Sequence, residues 1–202
     1  MIDAQKRLWE FIHAWRDETV KIIGDKIDFI IIYGSAVRKE FVPGKSDVDI
    51  VIQVFKTVDK KVTEKKATEI FWHIAEKFPE LRFNEALSTS THKNRTAVTT
   101  VLEKMEQSSF LYVPVFVFAK NEIDWKNGTL KSNNPLINLG QALIVPQRSI
   151  FLRFKQEGVM LYGRDIRKEI RVKLSLFDRL LCVAAPQLLS LIGLLVSPIA
   201  TK

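Results

Sequence analysis

Cysteine and histidine are scarce in this chain of 202 residues, which has one cysteine and three histidines. A single Cys182 excludes an internal disulfide and is typical of a reducing, intracellular setting, so we expect a cytoplasmic protein. Because Cys182 stands among apolar residues, we expect a buried small side chain and not a reactive thiol. The histidines His13, His73 and His92 lie far apart without metal-ligand spacing, which argues against a zinc site.

Several sequence signals of common protein classes are also absent. There is no G-x-x-x-x-G-K-[ST] phosphate-binding loop and no G-x-G-x-x-G dinucleotide fingerprint. Residues 1–24 carry charges throughout and lack the apolar stretch of a secretory signal. The stretch 180–200 is almost free of charge and about as long as a membrane span, but Pro186 and Pro198 interrupt it. We therefore expect buried terminal helices and no membrane segment.

The composition is otherwise that of a globular protein, with 47% hydrophobic and 27% charged residues. This is enough apolar material for a core that needs neither disulfides nor metal. The net charge of +8 and the pI of about 9.6 favour polyanionic ligands such as nucleotides or nucleic acid. A basic surface that is merely solvated has the same charge, so charge alone does not separate the two interpretations.

Hydrophobic periodicity predicts alternating helices and strands in the first part of the chain. Residues 3–23 have the spacing of an amphipathic helix, and the unbroken apolar run within 27–33 indicates a buried strand. We predict a short helix over 36–40, a second strand over 47–55, and a helix within 56–78 that Pro79 ends.

The later part of the chain is less regular. We predict a third strand over 81–87, a helix over 91–107, and a strand over 110–119 that Pro114 places at a sheet edge. Residues 121–147 are predicted to be a connecting segment. The remaining pattern indicates helices over 148–157, 165–181 and about 186–196. The fold class is therefore α/β in the α+β sense: a small mixed β-sheet of four or five strands with helices on one face, plus a C-terminal helical region.

One motif stands out against this background. An apolar strand ends in Gly34-Ser35, and after an intervening loop Ser46 precedes Asp47-x-Asp49 at the start of the next apolar strand. Because side chains alternate along a strand, Asp47 and Asp49 would share one face and repel each other unless a divalent cation lies between them. The Gly-Ser turn offers backbone N–H groups and a hydroxyl to phosphate oxygens.

This arrangement resembles the signature of the nucleotidyltransferase superfamily that includes DNA polymerase β. The minimal nucleotidyltransferases and the antibiotic nucleotidyltransferases look closest. The segment 157–164, Glu-Gly-Val-Met-Leu-Tyr-Gly-Arg, is similar to the one with which many such domains end. The resemblance implies a catalytic domain over 1–120, followed by the connecting segment 121–147 and a helical region over 148–202.

The resemblance also implies a reaction: transfer of a nucleoside monophosphate from a nucleoside triphosphate, with ATP as the default donor, to an acceptor hydroxyl. Two Mg²⁺ ions, or Mn²⁺ instead, would be held by Asp47 and Asp49. Gly34 and Ser35 would hold the triphosphate. Two loop residues, Arg38 and Lys45, would neutralise phosphate charge.

Members of this superfamily take a third metal-binding acid from a later strand, where it often serves as the general base. By chain order we predict Glu85 as that residue, which would complete the set of metal ligands and catalytic residues. Glu122 and Asp124 are the alternatives. A chain that lacks a third acid would bind nucleotide but carry out the chemistry poorly.

The sequence leaves the acceptor open among a small molecule, an RNA and a protein, and it leaves oligomeric state open. Two other functions remain as alternatives. One is a non-catalytic nucleotide- or RNA-binding protein on the same fold, which the positive charge favours. The other is an antitoxin-type nucleotidyltransferase that modifies a separate partner protein. The simplest structural alternative is that Asp47 only caps a strand and Asp49 pairs with a surface lysine.

Overall fold

The computed structural model describes residues 3–83, 114–130, 147–184 and 187. Its helices and strands are, in chain order, α1 (Ala4–Ile23), β1 (Ile27–Tyr33), α2 (Ser35–Arg38), β2 (Asp49–Val54), α3 (Lys60–Ala75), β3 (Val115–Ala119), β4 (Ile123–Asp124), β5 (Thr129–Leu130), α4 (Gln147–Glu157), β6 (Val159–Gly163) and α5 (176–184). Short 3-10 turns precede β1 and α3 and follow β6.

A four-stranded sheet in the order β3-β2-β1-β6 forms the centre of the fold. β1 is antiparallel to both β2 and β6, whereas β2 and β3 are parallel, so the sheet is mixed as predicted. β3 begins directly after Pro114 and lies at a sheet edge. That position suits proline because an edge strand leaves one row of backbone groups unpaired.

The apolar residues of β1 alternate between two cores. Ile30 and Ile32 face a core with α1 and α3, in which the rings of Phe11 and Phe71 meet edge to face at 4.9 Å. In the same core the indole N–H of Trp15 donates a hydrogen bond to the carbonyl of Ala67 at 3.0 Å. One face of the sheet is thus covered by a pair of packed helices.

The opposite face of the sheet is covered as well. Phe29 and Ile31 pack into a second core with Trp125 from the β4–β5 hairpin and with Phe151 and Phe154 of α4. The predicted α+β class with a small mixed sheet is confirmed, and this second helical cover adds to it. It is needed because an unbroken isoleucine run leaves both faces of the strand apolar.

β6 is a strand of the main sheet that was not predicted from the sequence. It pairs with β1 from Phe29↔Gly163 to Ile32↔Val159, although the two strands lie far apart in the chain. Arg164 then reaches back to the buried Asp28, with 2.8 Å between Nη2 and Oδ2. The domain boundaries at 120 and 148 stay a prediction, but residues beyond 148 contribute a strand to the main sheet.

Several predicted elements differ from the structure, including the connecting segment 121–147, in which Ile123–Asp124 and Thr129–Leu130 form a hairpin. The second strand begins at Asp49 and not at 47. Leu81 ends a 3-10 turn that Pro79 begins, and Arg82 follows in a left-handed conformation with φ 54°, so 81–83 is not strand; 84–87 lies outside the described residues. Residues 165–181 are not one helix: a 3-10 turn at Ile166–Lys168 is followed by irregular chain up to α5.

Local contacts explain why the last of these helices starts late. Ile166 and Ile170 are buried in the second core, and Lys155 of α4 donates a hydrogen bond to the carbonyl of Ile170 at 2.9 Å. At the start of α5, the Ser175 hydroxyl accepts a hydrogen bond from the backbone N–H of Asp178 at 3.1 Å. Packing onto α4 therefore keeps 166–172 out of a regular α-helix, and the Ser175 cap begins α5.

The prediction that Cys182 is buried is wrong, because this residue is exposed on α5. Its neighbours Phe177 and Leu180 are also exposed, at 69% and 67%, so the helix does not pack into either described core. The predicted helices over 91–107 and 186–196 fall outside the described residues, apart from Gln187. In the described part of the chain, no helix has both the length and the apolar character that crossing a membrane requires.

Candidate active site

The Gly34-Ser35 turn joins β1 to α2. Gly34 has φ 80°, in the left-handed region that favours glycine, and its carbonyl accepts hydrogen bonds from the N–H groups of Val37 and Arg38 at 3.1 and 3.2 Å. A Cβ on Gly34 would come within 2.4 Å of Asp49 Oδ2. Both the backbone conformation and the space beside it therefore require glycine.

Strand register brings the aspartates to this turn. Asp49 is the first residue of β2 and the cross-strand partner of Tyr33, which directly precedes Gly34. Asp47 lies two residues earlier and is exposed, and the Ser35 hydroxyl donates a hydrogen bond to its backbone carbonyl at 3.2 Å. The structure thus brings together Gly34, Ser35, Asp47 and Asp49 at one end of the sheet.

Negative charge is concentrated at the two carboxylates, Asp47 and Asp49. Burial raises the pKa of Asp49 to about 7, the negative charge of Asp47 adds to this increase, and the positive charge of Arg38 opposes it. The pKa of the neighbouring Tyr33 hydroxyl is raised by burial and by the same two aspartates. Within the described residues no lysine pairs with Asp49. Two carboxylates at one turn, whose charge Arg38 compensates only in part, fit a divalent cation.

The two predicted phosphate-binding cations differ in their surroundings. Arg38 ends α2 and forms ion pairs with Glu40, at 2.8 Å from Nε, and with Glu157, at 3.0 Å from Nη1. Lys45 is exposed in the loop that leads to Asp47, and its backbone N–H donates to the carbonyl of Val42. In the chain, both cations lie between the Gly34-Ser35 turn and the aspartates.

Neither alternative for the third acid reaches this site. β3 runs parallel to β2 and ends beside Val54, so Glu122 lies at the opposite end of the sheet, roughly 17 Å along the strand from Asp49 at about 3.3 Å per residue. Glu122 forms an ion pair with Lys60 there, at 2.8 Å. Asp124 accepts hydrogen bonds from Asn127 in the β4–β5 hairpin. Glu85 lies outside the described residues. Across 3–83, 114–130 and 147–184, no three acidic, histidine or cysteine side chains form a metal-binding group.

Two residues beside the site were not predicted for it. Tyr33 lies against the ring of Phe154, with 4.4 Å between ring centroids, and Glu157 contacts Arg38 from the end of α4. The segment 157–164 carries a signal at Glu157, since it resembles the end of related domains. Its contact with Arg38 depends on the pairing of β6 with β1, which spacing in the sequence does not reveal.

Comparison with known families agrees with this geometry. Residues 16–106 match the family model described as a nucleotidyltransferase domain, a range that includes the turn, both aspartates and Glu85. No curated protein and no solved structure matched the chain. Domains of this family act on nucleotides and generally use divalent metals. Residues 16–106 are therefore similar to a nucleotidyltransferase domain, consistent with the superfamily of DNA polymerase β, and this family indicates a nucleotidyltransferase enzyme.

Proposed function

We propose that the protein transfers a nucleoside monophosphate from a nucleoside triphosphate, with ATP as the donor, to an acceptor hydroxyl in a Mg²⁺-dependent reaction. The observation that carries this proposal is the position of the Asp49 carboxylate against Gly34, with Asp47 two residues away. A metal-binding pair and a phosphate-binding turn share one end of the sheet, as an in-line displacement at phosphorus requires.

The residues at the turn would have different roles in the reaction. Asp47 and Asp49 would hold Mg²⁺, which when bound neutralises charge on the triphosphate and on the attacking oxygen. The turn at Gly34 and the Ser35 hydroxyl would hold the leaving phosphates. The charges of Arg38 and Lys45 would compensate those phosphates as the bond between the α-phosphorus and the pyrophosphate oxygen breaks.

The attacking hydroxyl must lose a proton as its oxygen bonds to the α-phosphorus. We propose Glu85 as the base that takes this proton and as the third metal ligand. A residue in this role must lie within hydrogen-bond reach of the acceptor. A Glu85→Gln variant is expected to bind nucleotide normally and to lose roughly a hundredfold in transfer rate. Normal transfer by that variant would remove Glu85 from the mechanism.

The central experiment uses ATP labelled on its α-phosphate. The protein is incubated with labelled ATP, Mg²⁺ and pools of small molecules, RNA or protein, and transfer of label is measured for the wild type and for Asp47→Asn/Asp49→Asn. Label transferred by the wild type and absent from the double variant supports the proposal. Thermal shift is measured in parallel. If ATP with Mg²⁺ stabilises both proteins equally, the two aspartates are not the metal site.

A second candidate is a nucleotide-binding protein without transferase activity. It is favoured by the net charge of +8, which attracts nucleotides whether or not they react, and among the described residues no group of three side chains could hold a metal ion. This candidate predicts Mg²⁺-dependent ATP binding that needs Asp47 and Asp49, with no label transferred to any acceptor pool. For the first candidate we propose 1–120 as the catalytic domain. For both candidates we propose the cytoplasm as the location, because it supplies ATP and Mg²⁺.

A further inference from the structure

We propose that Glu157 is a positioning residue of the active site, which holds the guanidinium of Arg38 in the orientation that receives the nucleotide phosphates. The inference rests on the proposed function, because it assigns Arg38 to the triphosphate. It goes beyond it by making the end of α4 part of the nucleotide site.

The hydrogen bonds of Arg38 define the orientation of its guanidinium. Its Nε donates to Glu40 at 2.8 Å and its Nη1 donates to Glu157 at 3.0 Å. Nη2 donates to no side chain or carbonyl in the described part of the chain. Because the guanidinium is planar and rigid, holding two of its nitrogens sets the direction of the third. Nη2 of Arg38 is therefore available to donate a hydrogen bond to a phosphate oxygen.

Arg38 belongs to the same turn as the proposed metal-binding pair. Arg38 ends the short helix that starts at the Gly34 turn, and its backbone N–H donates to the Gly34 carbonyl at 3.2 Å. Gly34 in turn adjoins the Asp49 carboxylate, since a Cβ on this glycine would come within 2.4 Å of Asp49 Oδ2. A phosphate between the turn and the aspartates would thus be within the field of Arg38.

The fold brings Glu157 to the same end of the sheet. β6 begins beside the end of β1, since Val159 is the partner of Ile32, and Glu157 lies two residues before Val159. Glycine at 158 allows the backbone to pack closely here, because a Cβ would come within 2.4 Å of the Phe154 carbonyl oxygen and 2.7 Å of Ile31 Cδ1. The place of Glu157 therefore follows from packing against β1.

A second contact holds this part of the backbone. Arg167 Nη1 donates a hydrogen bond to the Gly158 carbonyl at 3.0 Å, and Asp165 pairs with the Arg167 guanidinium at 2.8 Å. Glu157 is thus presented by a backbone held on both sides and its side chain is 29% exposed, whereas the side chain of Glu40 is 59% exposed. This difference makes Glu157 the carboxylate that sets the orientation.

The contact is too exposed to be a major source of stability. Side chains of Arg38 and Glu157 are 35% and 29% exposed. Ion pairs at this level of exposure contribute little to folding because solvent screens them. A purely structural role thus predicts almost no effect of removal, and a positioning role predicts an effect on triphosphate binding.

The test measures binding of α,β-methylene-ATP, which cannot transfer its nucleotide, in the presence of Mg²⁺. We expect Glu157→Gln to weaken this binding roughly five- to tenfold, the scale of one misplaced charge-assisted hydrogen bond. AMP, which lacks the β- and γ-phosphates, is expected to bind both proteins equally. Glu40→Gln removes the same charge from the same arginine and is the matched control, with a change below about twofold.

A double-mutant cycle decides whether the effect passes through Arg38. Arg38→Gln is expected to weaken α,β-methylene-ATP binding by more than Glu157→Gln does, and Glu157→Gln is expected to add nothing in the Arg38→Gln background. Equal losses in both backgrounds would overturn the inference, as would losses of equal size for AMP. Should Glu157→Gln not fold, Glu157→Asp, which withdraws the carboxylate by one methylene, replaces it in the same cycle.

The outcomes also separate this inference from the proposed function. If Arg38→Gln and Asp49→Asn both bind α,β-methylene-ATP as the wild type does, the proposed function itself fails. If those two variants bind weakly while Glu157→Gln matches Glu40→Gln, only the role of Glu157 is rejected.

Discussion

Asp49 Oδ2 lies so close to Gly34 that a Cβ on this glycine would come within 2.4 Å of it. The residue that opens the phosphate-binding turn and a residue of the proposed metal pair therefore occupy adjoining space. A side chain at Gly34 would disturb the turn and the carboxylate together.

We predict that Gly34→Ala abolishes nucleotide binding and transfer, with a loss of roughly a hundredfold or more, because Asp49 must move. Alanine in this backbone conformation, with φ 80° and ψ −151°, also costs on the order of 1–3 kcal/mol of stability because this region is essentially restricted to glycine. The matched control is Gly128→Ala, where φ is 66° and the Cβ would come within 2.5 Å of Val172 Cγ2. This control is expected to lose stability with unchanged nucleotide affinity, measured by titration calorimetry. Equal affinity in both variants would contradict the prediction.

Asp49 is expected to make the metal-free protein less stable as pH rises. Its pKa of about 7 lies above the unfolded value of about 3.9, so the folded state binds the proton more tightly between these pH values. Stability therefore falls by up to about 1.4 kcal/mol per pH unit across that window, and Mg²⁺ reverses the loss. Chemical denaturation in EDTA from pH 4 to 8 measures it. Asp49→Asn is expected to lose this slope and the response to Mg²⁺; an unchanged slope would exclude Asp49 as its source.

The ion pair of Asp28 with Arg164 is expected to give the opposite pH dependence. Burial acts to raise the pKa of Asp28, but hydrogen bonds from Arg164 and Gln53 outweigh it and lower this pKa. The stabilisation is thus present above the unfolded pKa of about 3.9 and is lost as pH falls through the lower folded value. Asp28→Asn is expected to cost about 1–3 kcal/mol at pH 7 and much less at pH 3. Urea denaturation at the two pH values is the measurement, and equal costs would contradict the prediction.

Gly158→Ala is expected to destabilise the protein by about 1–3 kcal/mol, because its Cβ would overlap the Phe154 carbonyl and the Ile31 side chain. The junction of α4 and β6 would have to shift, which also moves Glu157. Thermal unfolding gives the stability change, and α,β-methylene-ATP titration gives the change in affinity. Lys155→Ala, on the same helix but directed to the Ile170 carbonyl, is the control expected to leave that affinity unchanged.

Much of the first half of the fold could be predicted from local pattern. The amphipathic spacing of α1 and the isoleucine run of β1 reflect burial that each element imposes on its own residues. Gly34, Ser35, Asp47 and Asp49 were found as a motif because a turn and the next strand hold them close in the chain.

Prediction failed where contacts distant in the chain decide the structure. Residues 166–172 do not form the predicted α-helix, because Ile166 and Ile170 pack into the second core and Lys155 of α4 donates a hydrogen bond to the Ile170 carbonyl. Chain order kept Glu122 as an alternative third acid, but the parallel pairing of β2 and β3 places it at the far end of the sheet.

The sequence by itself determined the class of chemistry, since two acids after a Gly-Ser turn on apolar strands need only local geometry to meet. Tertiary structure alone decided which other groups reach that site. Glu157 contacts Arg38 although the two are 119 residues apart in the chain, because β6 pairs with β1 and Gly158 packs closely against Ile31. Such a contact depends on strand order and close packing, and neither is encoded in the spacing of the residues that make it.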